Sequence, residues 1–134
     1  MPIVIDASVA IDWFAAETSA AAEIALDRVA ADGAVVPALW RWEVQDVLRR
    51  LDLAGRLDKP VDFIRTELRE LPISVDDELT SLFGGEAAIA SQYGLTFYDA
   101  AYLELAVRLG VPLATTDKAM ITAARAAKIP RLRR

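Results

Sequence analysis

The chain of 134 residues contains no cysteine and no histidine. The absence of cysteine excludes a disulfide framework, thiolate metal sites and a cysteine nucleophile. The absence of histidine removes the commonest general base and the commonest zinc ligand. Carboxylates, hydroxyls, lysine, arginine and tyrosine are therefore the side chains left to carry any chemistry.

Long apolar runs are also absent, since no uncharged stretch approaches the roughly 18 residues of a membrane-spanning helix. The first apolar run, residues 3–5, has no basic segment before it and ends at Asp6, unlike a signal peptide. Glycine and proline are few, and the hydrophobic content of 54% is typical of a compact globular protein. We therefore expect a single domain, residues 1–134, in the cytoplasm and without membrane contact.

The charge balance gives no simple indication of a partner, because the net charge of −5 is unusual for a protein that binds nucleic acid. The basic residues are unevenly spread, however. One group includes Arg41, and another crowds the last ten residues and includes Arg131 and Arg133. Two interpretations stay open: solvated surface charge, or contacts with phosphates or a protein partner.

Short apolar stretches alternate with segments in which apolar residues recur at helical spacing. The pattern predicts strands at about 2–5, 34–36, 71–75 and 111–115, with a further edge strand at 129–130. It predicts helices at about 8–15 (capped by Ser8), 19–32, 38–54, 60–70, 76–93, 97–109 and 118–127. This alternation favours an α/β fold whose central parallel sheet of four to five short strands is covered on both faces.

Four acidic residues lie beside the most apolar parts of the chain. Asp6 and Asp117 follow the first and fourth predicted strands, at the carboxyl edge where parallel sheets bind ligands. Glu43 and Asp99 lie at the margins of apolar stripes on two predicted helices. Because a carboxylate near a core costs on the order of several kcal/mol unless it is compensated, we expect all four to share one pocket.

Four carboxylates in one pocket would repel one another and raise their pKa values. One or two Mg²⁺ or Mn²⁺ ions would compensate, since hard cations prefer oxygen ligands, and a water on Mg²⁺ can become a nucleophile. Ser8 and Thr116 are candidates to orient carboxylates or waters. Taken singly, each aspartate could instead be a helix cap or a first-turn acid, and Glu43 with Asp46 could form a polar flank.

The acidic residues lie in stretches that resemble the PIN domain, and more closely the VapC-like ribonuclease toxins of type II toxin–antitoxin systems. The similar stretches are residues 5–9 (Ile-Asp-Ala-Ser-Val), 42–48 (Trp-Glu-Val-Gln-Asp-Val-Leu), 98–103 (Tyr-Asp-Ala-Ala-Tyr-Leu) and 115–117 (Thr-Thr-Asp). The resemblance covers essentially the whole chain. Asp46 departs from the pattern, because many relatives carry asparagine there.

The resemblance implies a three-layer α/β/α fold and a divalent-metal-dependent endoribonuclease, commonly a homodimer, that a cognate antitoxin neutralises. It implies that the four acids hold Mg²⁺ or Mn²⁺, and that a metal-activated water attacks the RNA phosphodiester in line while the metal stabilises the leaving 3′ oxygen. Basic residues beside the crevice would hold the RNA backbone. The candidates for that role are Arg41, Arg131 and Arg133.

Other functions stay open at this point. A PIN nuclease that processes RNA or cleaves DNA outside toxin–antitoxin systems would use the same catalytic residues. A receiver-like signalling module has similar size and also binds Mg²⁺, but it would need paired acids after the first strand, where Asp6 stands alone, and it would leave Glu43 without a role. A relative that only binds a partner is disfavoured because all four acids are present.

Overall fold

The computed structural model describes residues 1–15, 18–76 and 84–134. Within these ranges four strands alternate with seven helices. The strands are β1 (Ile3–Ile5), β2 (Ala34–Pro37), β3 (Ile73–Asp76) and β4 (Leu113–Ala114). The helices are α1 (Ala7–Asp12), α2 (Ala20–Asp32), α3 (Leu39–Leu53), α4 (Val61–Glu70), α5 (Glu86–Tyr93), α6 (Phe97–Leu109) and α7 (Lys118–Ala126).

The four strands form one parallel sheet in the order β3-β2-β1-β4. Val4 in the middle of β1 is in register with Val35 on one side and Leu113 on the other. A parallel sheet needs crossover connections between its strands, which is why helices separate the strands along the sequence. The expected α/β fold with a parallel sheet of four to five strands is therefore confirmed, with four strands.

Both faces of the sheet are covered. Successive residues of a strand point to opposite faces, and Ile3, Val4 and Ile5 of β1 are all fully buried. Helices α2 and α6 both pack against β1. The large side chains that lie deepest in the core come from strands and helices alike: Ile3, Ile5, Leu48, Ile64, Tyr102, Leu103, Leu105 and Met120. The three-layer arrangement expected from the sequence is the one observed.

The connection from α2 to β2 depends on Gly33, which has a φ of 84°. A Cβ atom at this position would lie 3.1 Å from the carbonyl oxygen of Pro72, at the start of the neighbouring strand. A side chain here would therefore be strained both by its backbone angle and by this close approach. Glycine lets the chain turn from the helix directly into the sheet.

The fifth strand expected at 129–130 is wrong, because these residues form no strand in the structure. Helix α7 ends at Ala126, and Lys128 then adopts a positive φ of 58°, an angle that extended strands do not have. Pro130 has no N–H to donate to a strand ladder. The sheet therefore ends at β4 within the described ranges.

Other boundaries differ by a few residues. Asp6, and not Ser8, is the N-cap of α1, and that helix ends at Asp12. Strand β3 begins at Ile73, after the predicted start, because Leu71 forms the extended C-cap of α4 and Pro72 follows it. Only the last part of the predicted helix at 76–93 is observed, as α5, while residues 77–83 lie outside the described ranges.

No helix within residues 1–15, 18–76 and 84–134 is long and apolar enough to span a bilayer.

Candidate active site

Asp6 lies at the carboxyl end of the central strand β1 and is only 8% exposed. As the N-cap of α1, its Oδ1 accepts the backbone N–H of Val9 at 3.1 Å and the hydroxyl of Ser8 at 2.6 Å. Its Oδ2 accepts the hydroxyl of Thr115, at the end of the neighbouring strand β4. Both carboxylate oxygens are therefore held by the fold.

The pKa of Asp6 is raised above its ordinary value, chiefly because burial disfavours the charged form. The hydrogen bonds from Ser8, Thr115 and Val9 stabilise the carboxylate and oppose this shift, and the negative charge of Asp117 adds to it. Three donors are thus insufficient to compensate fully for the burial of this charge. Asp6 is a carboxylate at which added positive charge would be favourable.

Asp117 is placed at the end of β4 by the same hydroxyl that binds Asp6. Its backbone N–H donates to Oγ1 of Thr115 at 3.1 Å, and its own Oδ1 accepts the N–H of Met120 at 2.9 Å as the N-cap of α7. The residue is exposed. Two acids from opposite ends of the chain are therefore tied to one buried threonine.

Asp99 lies in the first turn of α6 and is half-buried. The helix begins there because the hydroxyl of Thr96 accepts the backbone N–H of Asp99 at 3.1 Å. Burial raises the pKa of Asp99, the charges of Asp117 and Asp6 raise it further, and Thr96 lowers it. Asp6, Asp99 and Asp117 thus act on one another at the carboxyl edge of the sheet.

Glu43 is half-buried on α3, and its carboxylate accepts a hydrogen bond from a residue of α6. The hydroxyl of Tyr102 donates to its Oε1 at 2.5 Å. Burial raises the pKa of Tyr102, and the hydrogen bond and charge of Glu43, followed by the charges of Asp6 and Asp99, raise it further. The Tyr102 hydroxyl therefore lies in the combined negative field of three of the four candidate acids.

The donor set fits a hard divalent cation, because every candidate ligand is a carboxylate oxygen. Burial raises the pKa values of Asp6 and Asp99, and the charge of Asp117 raises both further, so that a cation beside them would be favourable. Across residues 1–15, 18–76 and 84–134, however, no three acidic side chains converge in a way that could hold an ion as they stand. Two of the aspartate side chains instead accept hydrogen bonds from the starts of their own helices. Because both oxygens of Asp6 are held, metal binding would require the other acidic side chains to turn toward this carboxylate.

Of the two predicted supporting hydroxyls, Ser8 contacts a candidate ligand directly and Thr116 does not. The Thr116 hydroxyl donates to Oγ of Ser8 at 3.0 Å, and Ser8 in turn donates to Asp6. Asp46 is exposed on α3 and pairs with Arg50 at 3.5 Å. It is not among the charges that shift the pKa values of the site.

Two residues of the site were missed by sequence reasoning: Thr115 and Tyr102. Thr115 is the first residue of the Thr-Thr-Asp stretch, and a polar residue at the end of a buried strand was a signal that it binds something inside. The spacing of Tyr102 from the other apolar residues of its helix indicates a core position, and its ring does lie in the core. A buried tyrosine hydroxyl nearly always has a partner, and that rule pointed to a contact such as Glu43.

The three predicted basic residues are all exposed at the surface. Arg131 lines a groove of about 450 Å³ between α2, α7 and the end of β4, together with Arg125 and Lys128, and this groove reaches Thr115. Arg41 is exposed, with its guanidinium 5.5 Å from the centre of the Trp42 ring. Arg133 is also exposed.

Comparisons with known proteins agree with this arrangement. Ribonuclease VapC3 of Mycobacterium tuberculosis, from two strains, is 35% identical over 122 residues, which cover 90% of this chain and 86% of the relative. The crystal structure of PAE2754 from Pyrobaculum aerophilum matches with a TM-score of 0.68 at 20% identity, covers 93% of this chain and 87% of that chain, and supports the fold alone. The PIN domain model matches residues 3–126. The chain therefore belongs to the PIN domain family.

Proposed function

We propose that this chain is a divalent-metal-dependent endoribonuclease of the VapC type, which hydrolyses RNA phosphodiester bonds at the carboxyl edge of its sheet. The observation that carries the proposal is the buried carboxylate of Asp6, held beside Asp99 and Asp117 in a group whose charges act on one another. The 35% identity to a ribonuclease over nearly the whole chain supports RNA as the substrate class.

The proposed cofactor is Mg²⁺ or Mn²⁺, as one or two ions. Asp6, Glu43, Asp99 and Asp117 would hold it, since all four offer the oxygen ligands that hard cations prefer. When bound, such a cation supplies charge stabilisation at the phosphate and lowers the pKa of a water molecule. The absence of histidine from the sequence supports this choice, because no imidazole is available to do the same work.

The chain's own residues prepare the site. Ser8, Val9 and Thr115 fix both oxygens of Asp6, so that this carboxylate keeps its place whether or not a ligand is present. Thr115 also holds the backbone of Asp117, which keeps the two strand ends in register. The protein therefore contributes a preorganised pair of acids to which the helix-borne acids are added.

The RNA backbone is the proposed partner of Arg41, Arg131 and Arg133. Arg131 has the strongest support, because its groove reaches Thr115, which contacts Asp6. Arg41 lies next to Trp42, whose ring is 69% exposed and could stack on an unpaired base.

The biological role proposed here is that of the toxin in a toxin–antitoxin pair in the cytoplasm, with a cognate antitoxin as protein partner and a homodimer as the assembly. Its support is the similarity to a VapC ribonuclease. A small DNA-binding protein encoded in the adjacent gene would strengthen this role. Its absence would favour a PIN nuclease of another RNA or DNA pathway. Membership of the PIN family sets aside the receiver-like alternative.

Cleavage of a defined single-stranded RNA by the purified chain tests the proposal. We expect cleavage with Mg²⁺ or Mn²⁺, none with EDTA, and none in Asp6→Ala or Glu43→Ala. Asp46→Ala is the matched control, because this acid lies on the same helix as Glu43 but is exposed and paired with Arg50. Full activity in Asp6→Ala, or equal activity in EDTA, would contradict the proposal.

Two further arms identify the substrate. A DNA strand of the same sequence separates a ribonuclease from a nuclease that accepts DNA. Inducible expression of the wild type and of Asp6→Ala, followed by mapping of RNA ends in the expressing cells, identifies the cellular target. Ends that accumulate equally with both proteins would not come from this site.

A further inference from the structure

Tyr102 joins the two helices that carry Glu43 and Asp99. Tyr102 is only 2% exposed, and its ring packs among the core side chains of α6 and the sheet. Its hydroxyl nevertheless reaches the margin of the core, where it donates to Oε1 of Glu43 at 2.5 Å across 59 residues of sequence. Asp99 lies one helical turn before Tyr102 on the same helix. One hydrogen bond therefore links Glu43 on α3 to the helix that carries Asp99.

Glu43 depends on this bond more than Asp6 depends on any of its own. Asp6 accepts three hydrogen bonds, whereas Tyr102 is the single donor to Glu43 among the described residues. No lysine or arginine of those ranges lies within ion-pairing distance of Glu43 either. A glutamate has three side-chain torsions, and ordering them has an entropic cost that one bond from a rigid phenol offsets.

We propose that Tyr102 is a positioning residue that orients the Glu43 carboxylate for metal binding. This inference rests on the proposed function, since it takes Glu43 to be one of the metal ligands. Oε1 of Glu43 accepts from Tyr102, so Oε2 is the oxygen that no described residue donates to. The rigid ring of Tyr102, locked in the core, fixes where its hydroxyl can be and thereby selects the rotamer of Glu43.

The substitution Tyr102→Phe tests the proposal, because it keeps the buried ring and removes only the hydroxyl. Removing a partner that orients a metal ligand lowers metal affinity by roughly 10- to 100-fold in known sites. We expect the Mn²⁺ dissociation constant of the full chain, measured by titration calorimetry, to rise by about tenfold. RNA cleavage should fall at low Mn²⁺ and recover at saturating Mn²⁺, which a merely misfolded variant could not do.

Tyr93→Phe is the matched control, since Tyr93 is a half-buried tyrosine on α5 that forms no hydrogen bond to the candidate acids within the described ranges. Circular dichroism in EDTA establishes that each variant is folded before metal is added. Tyr102→Met, which also fills the core without a hydroxyl, provides the same test if the phenylalanine variant proves unstable. An Mn²⁺ affinity in the folded variant equal to that of Tyr93→Phe would overturn the proposal.

A double-mutant cycle shows whether Tyr102 acts through Glu43. In a Glu43→Gln background, Tyr102→Phe should change the Mn²⁺ dissociation constant by less than about twofold, because the ligand to be oriented is already altered. Additive effects of the two substitutions would mean that the tyrosine acts independently of Glu43, and the inference would be wrong.

The same measurements separate this inference from the proposed function. If Glu43→Ala leaves both Mn²⁺ binding and RNA cleavage unchanged, the proposed function fails at Glu43. If Glu43→Ala abolishes both while Tyr102→Phe behaves like Tyr93→Phe, only the role of Tyr102 fails.

Discussion

The two halves of the site are built differently. On the strand side, Asp6 and Asp117 follow β1 and β4, and Thr115 ties them together while backbone N–H groups at the starts of two helices bind their carboxylates. On the helix side, Glu43 is held by one tyrosine hydroxyl, and Asp99 depends on its place in the first turn of α6.

A carboxylate at a strand end is positioned by nearby backbone N–H groups, whereas one at the margin of a helix is positioned by side chains of other elements. A strand end leads into a helix N-terminus, whose free N–H groups can fix a carboxylate without help from elsewhere. A residue in the middle of a helix has no such groups available, because its neighbours' N–H groups are already used within the helix. Its carboxylate must be held by another element, as Tyr102 holds Glu43.

The largest effect that tests this comparison is expected for Thr115→Val. Valine fills the buried space but leaves Oδ2 of Asp6 and the N–H of Asp117 without their partner. We expect the free energy of unfolding to fall by about 1–3 kcal/mol. The Mn²⁺ affinity should fall by roughly 100-fold, more than for Tyr102→Phe, because Thr115 is a partner of two acids. Denaturant unfolding and titration calorimetry measure the two quantities.

Thr116→Val is the control for this substitution. Thr116 is exposed and its hydroxyl contacts Ser8 alone among side chains, so we expect its stability to stay within about 0.5 kcal/mol of the wild type. The comparison between the two halves would break down if Tyr102→Phe weakened Mn²⁺ binding as much as Thr115→Val does, because the helix side would then be as strongly organised as the strand side.

The pH dependence of the metal-free chain tests the strand side further. Burial raises the pKa of Asp6 in the folded state, so the folded chain binds this proton more tightly than the unfolded chain does. Its contribution to stability is therefore fully present below the ordinary aspartate pKa of about 4 and is lost as pH rises through the raised value. Asp6→Asn cannot titrate, so in EDTA its melting temperature relative to wild type should increase with pH over this window.

The Asp6→Asn series separates charge from hydrogen bonding. The difference in melting temperature at the acidic end reports the altered bonds to Ser8 and Thr115, and only its change with pH reports the buried charge. Saturating Mn²⁺ at neutral pH should reverse the order of the two proteins, since the wild type alone keeps the ligand. A difference that does not vary with pH would mean that burial does not shift this carboxyl.

A smaller effect is expected for Ser8→Ala. Ser8 is exposed, and Oδ1 of Asp6 would still accept the N–H of Val9 while Oδ2 keeps Thr115. We expect a loss of about 0.5–1.5 kcal/mol in stability, the range for one hydrogen bond. If chemical denaturation showed a loss as large as that of Thr115→Val, the exposed side of Asp6 would matter as much as its buried side.

The parts of the molecule that periodicity determines could be predicted from the sequence. The helix at 97–109 was predicted at its observed bounds, since the apolar spacing and Gly110 mark its end. Strands β1, β2 and β4 could be predicted because they are short apolar runs. The strand at 129–130 could not be excluded, because a positive φ at Lys128 is a tertiary outcome that lysine does not signal.

The sequence predicts which acidic residues form the candidate site and at which edge of the sheet the site lies. Burial of Asp6 at the end of β1 follows from its position in the sequence, but the bond between Glu43 and Tyr102 does not. Which rotamer a tyrosine on a core stripe adopts depends on the tertiary packing around it, which no local pattern records. Side-chain partners across elements are therefore what the structure adds.

The smallest effect is expected at Asp46, an exposed acid on α3. Asp46→Asn removes a negative charge from α3, one turn after Glu43, and breaks an exposed pair with Arg50 at 3.5 Å. Such pairs within a helix are worth about 0.3–0.5 kcal/mol, and none of the shifted pKa values of the site depends on this charge. We expect the Mn²⁺ dissociation constant to change by less than about twofold, the same as for Asp52→Asn, another exposed acid on α3. A change at Asp46 alone of tenfold or more, measured by calorimetry at 0.15 M salt, would show that Asp46 belongs to the helix side of the site and that this side reaches a full turn beyond Glu43.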